Sequence, residues 1–387
     1  MAVFSLGFRP FYLLAAIFAA VSVPIWALAL AGFDVDGQYL SAASWHAHEM
    51  VFGFAVAVLA GFLLTAVQNW TGRATPSGFA LAGLCGLWVA GRVFVLTGPD
   101  AIAAIVDLAF LPVLMVVLGR LILLSKNHRN IVVLVILALL FAANLLFHLE
   151  ISGYLTFDDT FVGIRLALYI FSLLITVMAG RIVPAFTRNA VPGARARVVR
   201  PVEYGAFGTL LLLIAFEGWS VFAAINPQLI AIAAVLAAVS HAWRLWLWDP
   251  VAARHQPLLW VLPLSYAWLP IFFALRALSA FDLPIPPALP FHALAIGAIG
   301  GLMIGMVVRS ARGHTGQSLV ADAAELAAFL LVHAACFCRV FLPLAVPEWS
   351  GTWHTVSAVC WSVAFAIVLI KLWRPLTRPR YDGLAAQ

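Results

Sequence analysis

Two histidines separated by one residue, His46 and His48, head a long apolar segment in the run Trp45-His-Ala-His-Glu-Met50. Imidazole and carboxylate side chains ligate metals and handle protons, and polar groups in an apolar segment mark functional positions by default. At 3.6 residues per turn the two rings point about 200° apart, so a regular helix cannot aim both at one small ion. They are expected to serve different sites unless the helix start is unwound. His46, Glu49, Met50 and Gly53 share a face, and below them Ala57, Ala60 and Gly61 leave room for either a flat macrocycle or a close helix neighbour. His292 heads a similar segment above Gly297, Gly300, Gly301 and Gly305. Asn144 and His148 lie at i and i+4, near enough for the amide to orient the imidazole as the outer partners of metal ligands do.

The elements that hold these residues follow from composition. Hydrophobic residues are 64% of the 387 and charged residues 10%, with a mean hydropathy of +1.05; a soluble globule is roughly half apolar and about a quarter charged. Only helices and closed barrels satisfy the backbone in hydrocarbon, and apolar runs of about 20 residues have the length of a spanning helix. The chain is therefore expected to be an all-α polytopic membrane protein, a single helical domain over 1–387. Apolar runs between turn signals predict about twelve spans, near 10–32, 46–69, 76–97, 101–124, 129–150, 159–184, 200–224, 228–248, 255–281, 288–311, 318–344 and 352–374. The first run lacks a small-residue cleavage site and leads directly into the next, so it reads as a retained helix.

Charge orients the spans. Arg9, Arg73, Lys126, Arg129, Arg188, Arg195, Arg197, Arg200, Arg254, Arg312, Arg374, Arg378 and Arg380 fall at even-to-odd connections or termini, whereas Asp34, Asp36, Asp100, Asp158, Asp159, Asp282 and Glu348 fall on the opposite side. By the positive-inside rule both termini are predicted cytoplasmic. His46, His48, His148, His292 and His354 then gather at the outer face, while His128, His255 and His314 lie at inner loops. The net charge of +6 belongs to inner loops without a nucleic-acid motif, so nucleic acid is not an expected partner and the bilayer is.

Arg92, Arg165, Arg276 and Arg339 depart from the inner-loop rule, each in the outer third of a span. A buried guanidinium needs an anion. Two sources stand open: protein carboxylates such as Glu49, Asp107 and Glu150, or the propionates of a haem, which the guanidinium fork binds bidentately. Snorkelling to the outer headgroups is the bland option. The candidate metal ligands are His46, His48, His148 and His292, with Arg92, Arg165 and Arg276 as cofactor-binding residues. Cys85, Cys336, Cys338 and Cys360 all lie in apolar segments, which argues for packing rather than a disulfide framework. No phosphate loop, serine triad or paired-carboxylate hydrolase pattern is present, which leaves catalysis of the soluble-enzyme type without support.

Several motifs recur together: Leu6-Gly-Phe-Arg-Pro-Phe11, Trp45 to Met50 running into Phe52-Gly-Phe54, Phe62-Leu-Leu-Thr-Ala66 with Asn69-Trp-Thr-Gly72, Gly180-Arg-Ile-Val-Pro-Ala-Phe-Thr187, and His292 through Gly305-Met306 to Gly313-His-Thr-Gly316. In that order the chain resembles the NnrS family of bacterial membrane proteins over nearly its whole length. The resemblance implies a twelve-helix inner-membrane protein carrying haem b and copper, linked to denitrification and to protection against nitric oxide and nitrosative stress. Nitric oxide or a similar small ligand and an electron donor are the implied partners, and any enzyme activity would be that of a haem-dependent oxidoreductase. The helix count and outer histidines are also similar to those of haem-copper oxidase subunit I. The matching positions are His46, His48, His148, His292 and His314, with Arg92, Arg181 and Arg309. Pro263 stands where the family pattern has histidine, Gln68 where it has proline and Gln317 where it has arginine; the missing histidine weakens copper more than haem. Twelve spans with intramembrane arginines and glycine-broken helices also suit a secondary transporter, although no repeat relates 1–190 to 200–387.

Overall fold

Among the described residues, twelve helices of the computed structural model are long and apolar enough to cross a membrane: Phe8–Leu30, Ala42–Thr71, Gly78–Thr97, Asp100–Leu124, Ile131–Ile151, Val162–Ala190, Arg200–Trp219, Pro227–Leu247, Pro257–Ala280, Ala288–His314, Ala323–Ala345 and Pro347–Thr377. The described residues are 2–33, 39–126, 128–156 and 161–380, without the side chain of His128; Asp34, Asp36, Asp158 and Asp159, used above to orient the chain, lie outside them. Among the described residues there is no strand. The architecture is all-α, as composition requires. Local chemistry sets the helix starts: Ser41 Oγ accepts from Ser44 N at 3.3 Å, Asn226 caps a helix that begins with proline, and Asp322 and Glu325 form a reciprocal capping box. Gly72 ends the second span in the left-handed region, at φ 64°.

Chain contacts divide the protein into two compact units. The first comprises Met1–Ala167, Val307–Ser318 and Phe365–Gln387. There the first span lies against the second, with a Cβ at Gly61 only 3.0 Å from Phe11 and Tyr12. Arg9, 1% exposed, donates from Nη1 to the carbonyls of Pro375, Leu376 and Arg378 at 3.4, 3.2 and 2.6 Å, so its charge meets the negative end of the twelfth span.

The second unit comprises Leu168–Met306 and Leu319–Ala364. Gly297, Gly301 and Gly305 repeat at intervals of four on the tenth span and face the ninth. A Cβ at Gly297 would collide with Trp268, one at Gly301 would lie 2.5 Å from Ser265 Oγ, and one at Gly305 2.8 Å from Val261. A neighbouring helix, rather than a macrocycle, takes up the space these glycines leave. On the second span, Gly61 serves the first span in the same way.

Both histidine-headed spans are interrupted just after the histidine. His48 is followed by a π-helical segment at Glu49–Ala55, and His292 by one at Ala293–Gly300. Such wide turns redirect side chains and recur at functional sites.

Candidate metal centre

The residues that converge in unit 1 come from four spans and one connection. His48 and Glu49 sit where the second span passes from α to π geometry; Arg92 lies near the end of the third, Asp107 near the start of the fourth, Asn144 and His148 near the end of the fifth. Tyr39 precedes the second span. His48, Glu49, Asp107, Asn144 and His148 are all at most 4% exposed.

Their bonds form one network. Asp107 Oδ2 accepts from Asn144 Nδ2 at 2.7 Å and lies 3.0 Å from His148 Nε2 and 3.3 Å from His48 Nε2. Arg92 spans both carboxylates, donating from Nη1 to Glu49 Oε1 at 2.7 Å and from Nη2 to Asp107 Oδ1. His48 Nδ1 donates to Glu49 Oε1 at 2.9 Å, and its Nε2 faces Asn144 Oδ1 at 3.0 Å. Tyr39 OH meets His148 Nδ1 at 2.8 Å. Burial raises the Tyr39 hydroxyl above its ordinary value of 10.0, partly offset by a hydrogen bond with Ser152, so at neutral pH it stays a phenol. Gly53 makes this packing possible, since a Cβ there would lie 2.9 Å from Glu49 Oε2 and 3.1 Å from Arg92 Nη1.

One nitrogen each from His48 and His148 and one oxygen of Asp107 lie within 4.8 Å of one another. Two imidazoles and a carboxylate suit a first-row transition metal, and the outer bonds from Glu49 and Tyr39 are of the kind that fix ligand orientation. With neutral imidazoles, the two carboxylates and Arg92 leave one net negative charge, which favours a cation. Glu49 Oε2 adds a buried oxygen with no hydrogen-bond partner among the described residues. The group therefore fits a single metal ion. It does not fit a porphyrin: a macrocycle on His48 Nε2 would displace Asp107 and Asn144, and the ring itself packs against Phe147 and Phe52 at centroid distances of 4.9 and 5.1 Å.

Of the candidate ligands and cofactor-binding residues named from the sequence, His48, His148 and Arg92 meet here, together with Glu49, Asp107 and Asn144, whereas His46, His292, Arg165 and Arg276 do not. His46 stacks on Trp26 at 4.0 Å, in keeping with divergent rings. His292 belongs to unit 2, where its Nδ1 donates to Ala288 O at 2.8 Å. Arg165 is half-buried near the head of the sixth span; Arg276 is half-buried in the ninth, its Nε without a hydrogen-bond partner among the described residues. Arg92 takes its anions from Glu49 and Asp107, and Arg339 Nη1 meets His354 Nε2. Asn144 holds His48 and Asp107 rather than its i+4 neighbour His148, which Tyr39 and Asp107 hold instead. His314 lies against Phe8 at 5.3 Å. Sequence reasoning treated Asp107 only as a counter-ion and passed over Tyr39. A lone carboxylate inside an apolar span was the available signal for the first; nothing in its local sequence distinguished the second.

Twelve apolar spans with a buried group of two histidines and a carboxylate define a polytopic helical membrane protein with a candidate metal centre. A family model described as NnrS protein matches residues 2–380, and the chain belongs to the NnrS family. No curated protein matches it.

Proposed function

We propose that this chain is a metal-binding protein of nitric oxide metabolism in a bacterial inner membrane, with one transition-metal ion held by His48 Nε2, His148 Nε2 and Asp107 Oδ2. The observation that carries the reading is that one nitrogen from each imidazole and one Asp107 oxygen converge within 4.8 Å at a buried position. Membership of the NnrS family supports the link to nitric oxide. Iron or copper held there would supply an open coordination position for a diatomic ligand and a one-electron change of charge. The chain's own residues do the rest. Glu49 and Tyr39 orient the two rings, Arg92 balances the carboxylates, and Phe52 and Phe147 keep water from the His48 ring. The charge bias of the loops supports a centre toward the outer face with both termini in the cytoplasm, and the family resemblance implies an electron donor as partner.

Haem b finds its support at a different place. The Nδ1 bond of His292 to Ala288 O orients its ring, as the outer bonds of haem and metal histidines do.

Metal analysis and optical spectra of the purified full-length protein test both readings. One non-haem iron or copper per chain, lost in His48→Ala and in Asp107→Asn, is expected. Stoichiometric non-haem metal that survives both substitutions would remove His48 and Asp107 as its ligands. A Soret band that disappears in His292→Ala supports haem at that residue, and a preparation without a Soret band excludes haem.

A further inference from the structure

Unit 2 contains a second buried polar group that the proposed function leaves unused. Glu203 from the seventh span, His241 and Arg244 from the eighth and Tyr266 from the ninth meet beside Trp248; all but Glu203 are at most 1% exposed. Arg244 Nε donates to Glu203 Oε1 at 2.7 Å, and Nη2 closes the fork on Oε2. Gly180 on the sixth span makes room, because a Cβ there would collide with Arg244 Nη2. Arg244 Nη1 donates to the Tyr266 phenol oxygen at 3.1 Å. The phenol donates in turn to His241 Nδ1 at 2.6 Å, and His241 Nε2 donates to Ala206 O at 3.2 Å.

The last bond sets the chemistry of the others. A carbonyl can only accept, so the imidazole proton sits on Nε2 and the Nδ1 lone pair faces the phenol. Tyr266 thus has a proton acceptor already in line.

We propose that Tyr266 is a redox-active tyrosine. A high-potential one-electron oxidant, such as an oxidised metal centre, removes one electron from the phenol, and the phenolic proton moves along the existing bond to His241 Nδ1. The products are a neutral phenoxyl radical and an imidazolium; an electron from a reductant returns the proton to Tyr266. Three observations favour this over a purely structural network. Glu203 already neutralises Arg244, so the imidazolium is the only new charge. Trp248 lies 4.5 Å from Tyr266, yet its Nε1 is buried without an acceptor among the described residues, so an oxidised indole cannot shed its proton and the hole settles on Tyr266. Finally, aromatic rings continue from His241 through Phe273, Phe272 and Phe291 at 5.1, 4.9 and 5.6 Å, ending one residue before His292. The proposal does not depend on metal at His48.

Flash oxidation of the full-length protein in detergent by photogenerated ruthenium(III) polypyridyl, followed by freezing and electron paramagnetic resonance, tests it. A neutral tyrosyl signal is expected in the wild type and in Trp248→Phe, and its loss in Tyr266→Phe. With seven tyrosines in the chain, a signal of wild-type size in Tyr266→Phe would overturn the assignment. Should that variant fail to fold, Tyr39→Phe protein labelled with 15N-histidine decides, since Tyr39 also bonds a histidine: nitrogen hyperfine coupling to the radical in that background supports the His241 bond, and its absence overturns it. No radical in the wild type overturns it as well.

Discussion

Arg92 is the residue on which the candidate centre balances, because its guanidinium is shared between two buried carboxylates, Glu49 and Asp107. Removing one partner of a buried ion pair costs about 3–5 kcal/mol, since the remaining charge stays out of water. Arg92→Ala is therefore expected to lower the thermal unfolding midpoint in detergent markedly, and Arg92→Lys to recover little, because a compact ammonium cannot bridge two carboxylates as the planar fork does. An unchanged midpoint in Arg92→Ala would refute this. Tyr39 makes a separate pH prediction. Burial holds its hydroxyl above the ordinary value of 10.0, so the folded state binds that proton more tightly than the unfolded state. Its contribution to stability is complete below the ordinary value and is lost as pH rises through the folded one. Unfolding of the wild type is expected to become easier above about pH 10, and Tyr39→Phe to flatten that alkaline limb; equal alkaline slopes would count against it.

Among the elements, the second and tenth spans carry most of the design. Each starts as an α-helix, opens into a π segment just after a histidine and resumes α geometry. On the tenth span the glycines set how closely the ninth can approach. Gly301→Ala would bring a Cβ to 2.5 Å from Ser265 Oγ and 3.0 Å from His333 Cε1, overpacking that costs about 1–3 kcal/mol. Gly86→Ala on the third span meets nothing within 4 Å and is expected to be neutral or slightly stabilising. Parallel unfolding titrations would show the contrast, and equal midpoints would disprove it. Elements of this kind were largely legible in the sequence, because hydropathy and turn residues mark spans directly; the start at Ala42, with its Ser41 cap, came four residues before the predicted 46. The π segments were not legible, since no residue type encodes the wider turn. For the same reason the sequence separated His46 from His48 but could not say which of them would meet His148. Asp107 and Tyr39 join the centre through tertiary packing, which periodicity does not report.

For the molecule as a whole, the notable fact is how unit 1 is assembled from distant stretches of chain. Arg9 makes its hydrogen bonds across 366 to 369 residues, to the end of the twelfth span. Arg9→Gln, which removes the charge from beneath those carbonyls, is expected to speed amide hydrogen exchange over 370–380 while leaving exchange over 140–150 unchanged. Uniform protection across both would show that the cap carries no weight. The same arrangement has a consequence for biosynthesis. The residues of the candidate metal centre, from Tyr39 to His148, are all translated before the sixth span leaves the ribosome, whereas the carbonyls that receive Arg9 arrive only with the twelfth. In a chain stalled before that span Arg9 would lack these carbonyl partners, so the first helix gains its buried contact with them only once the twelfth span has been made.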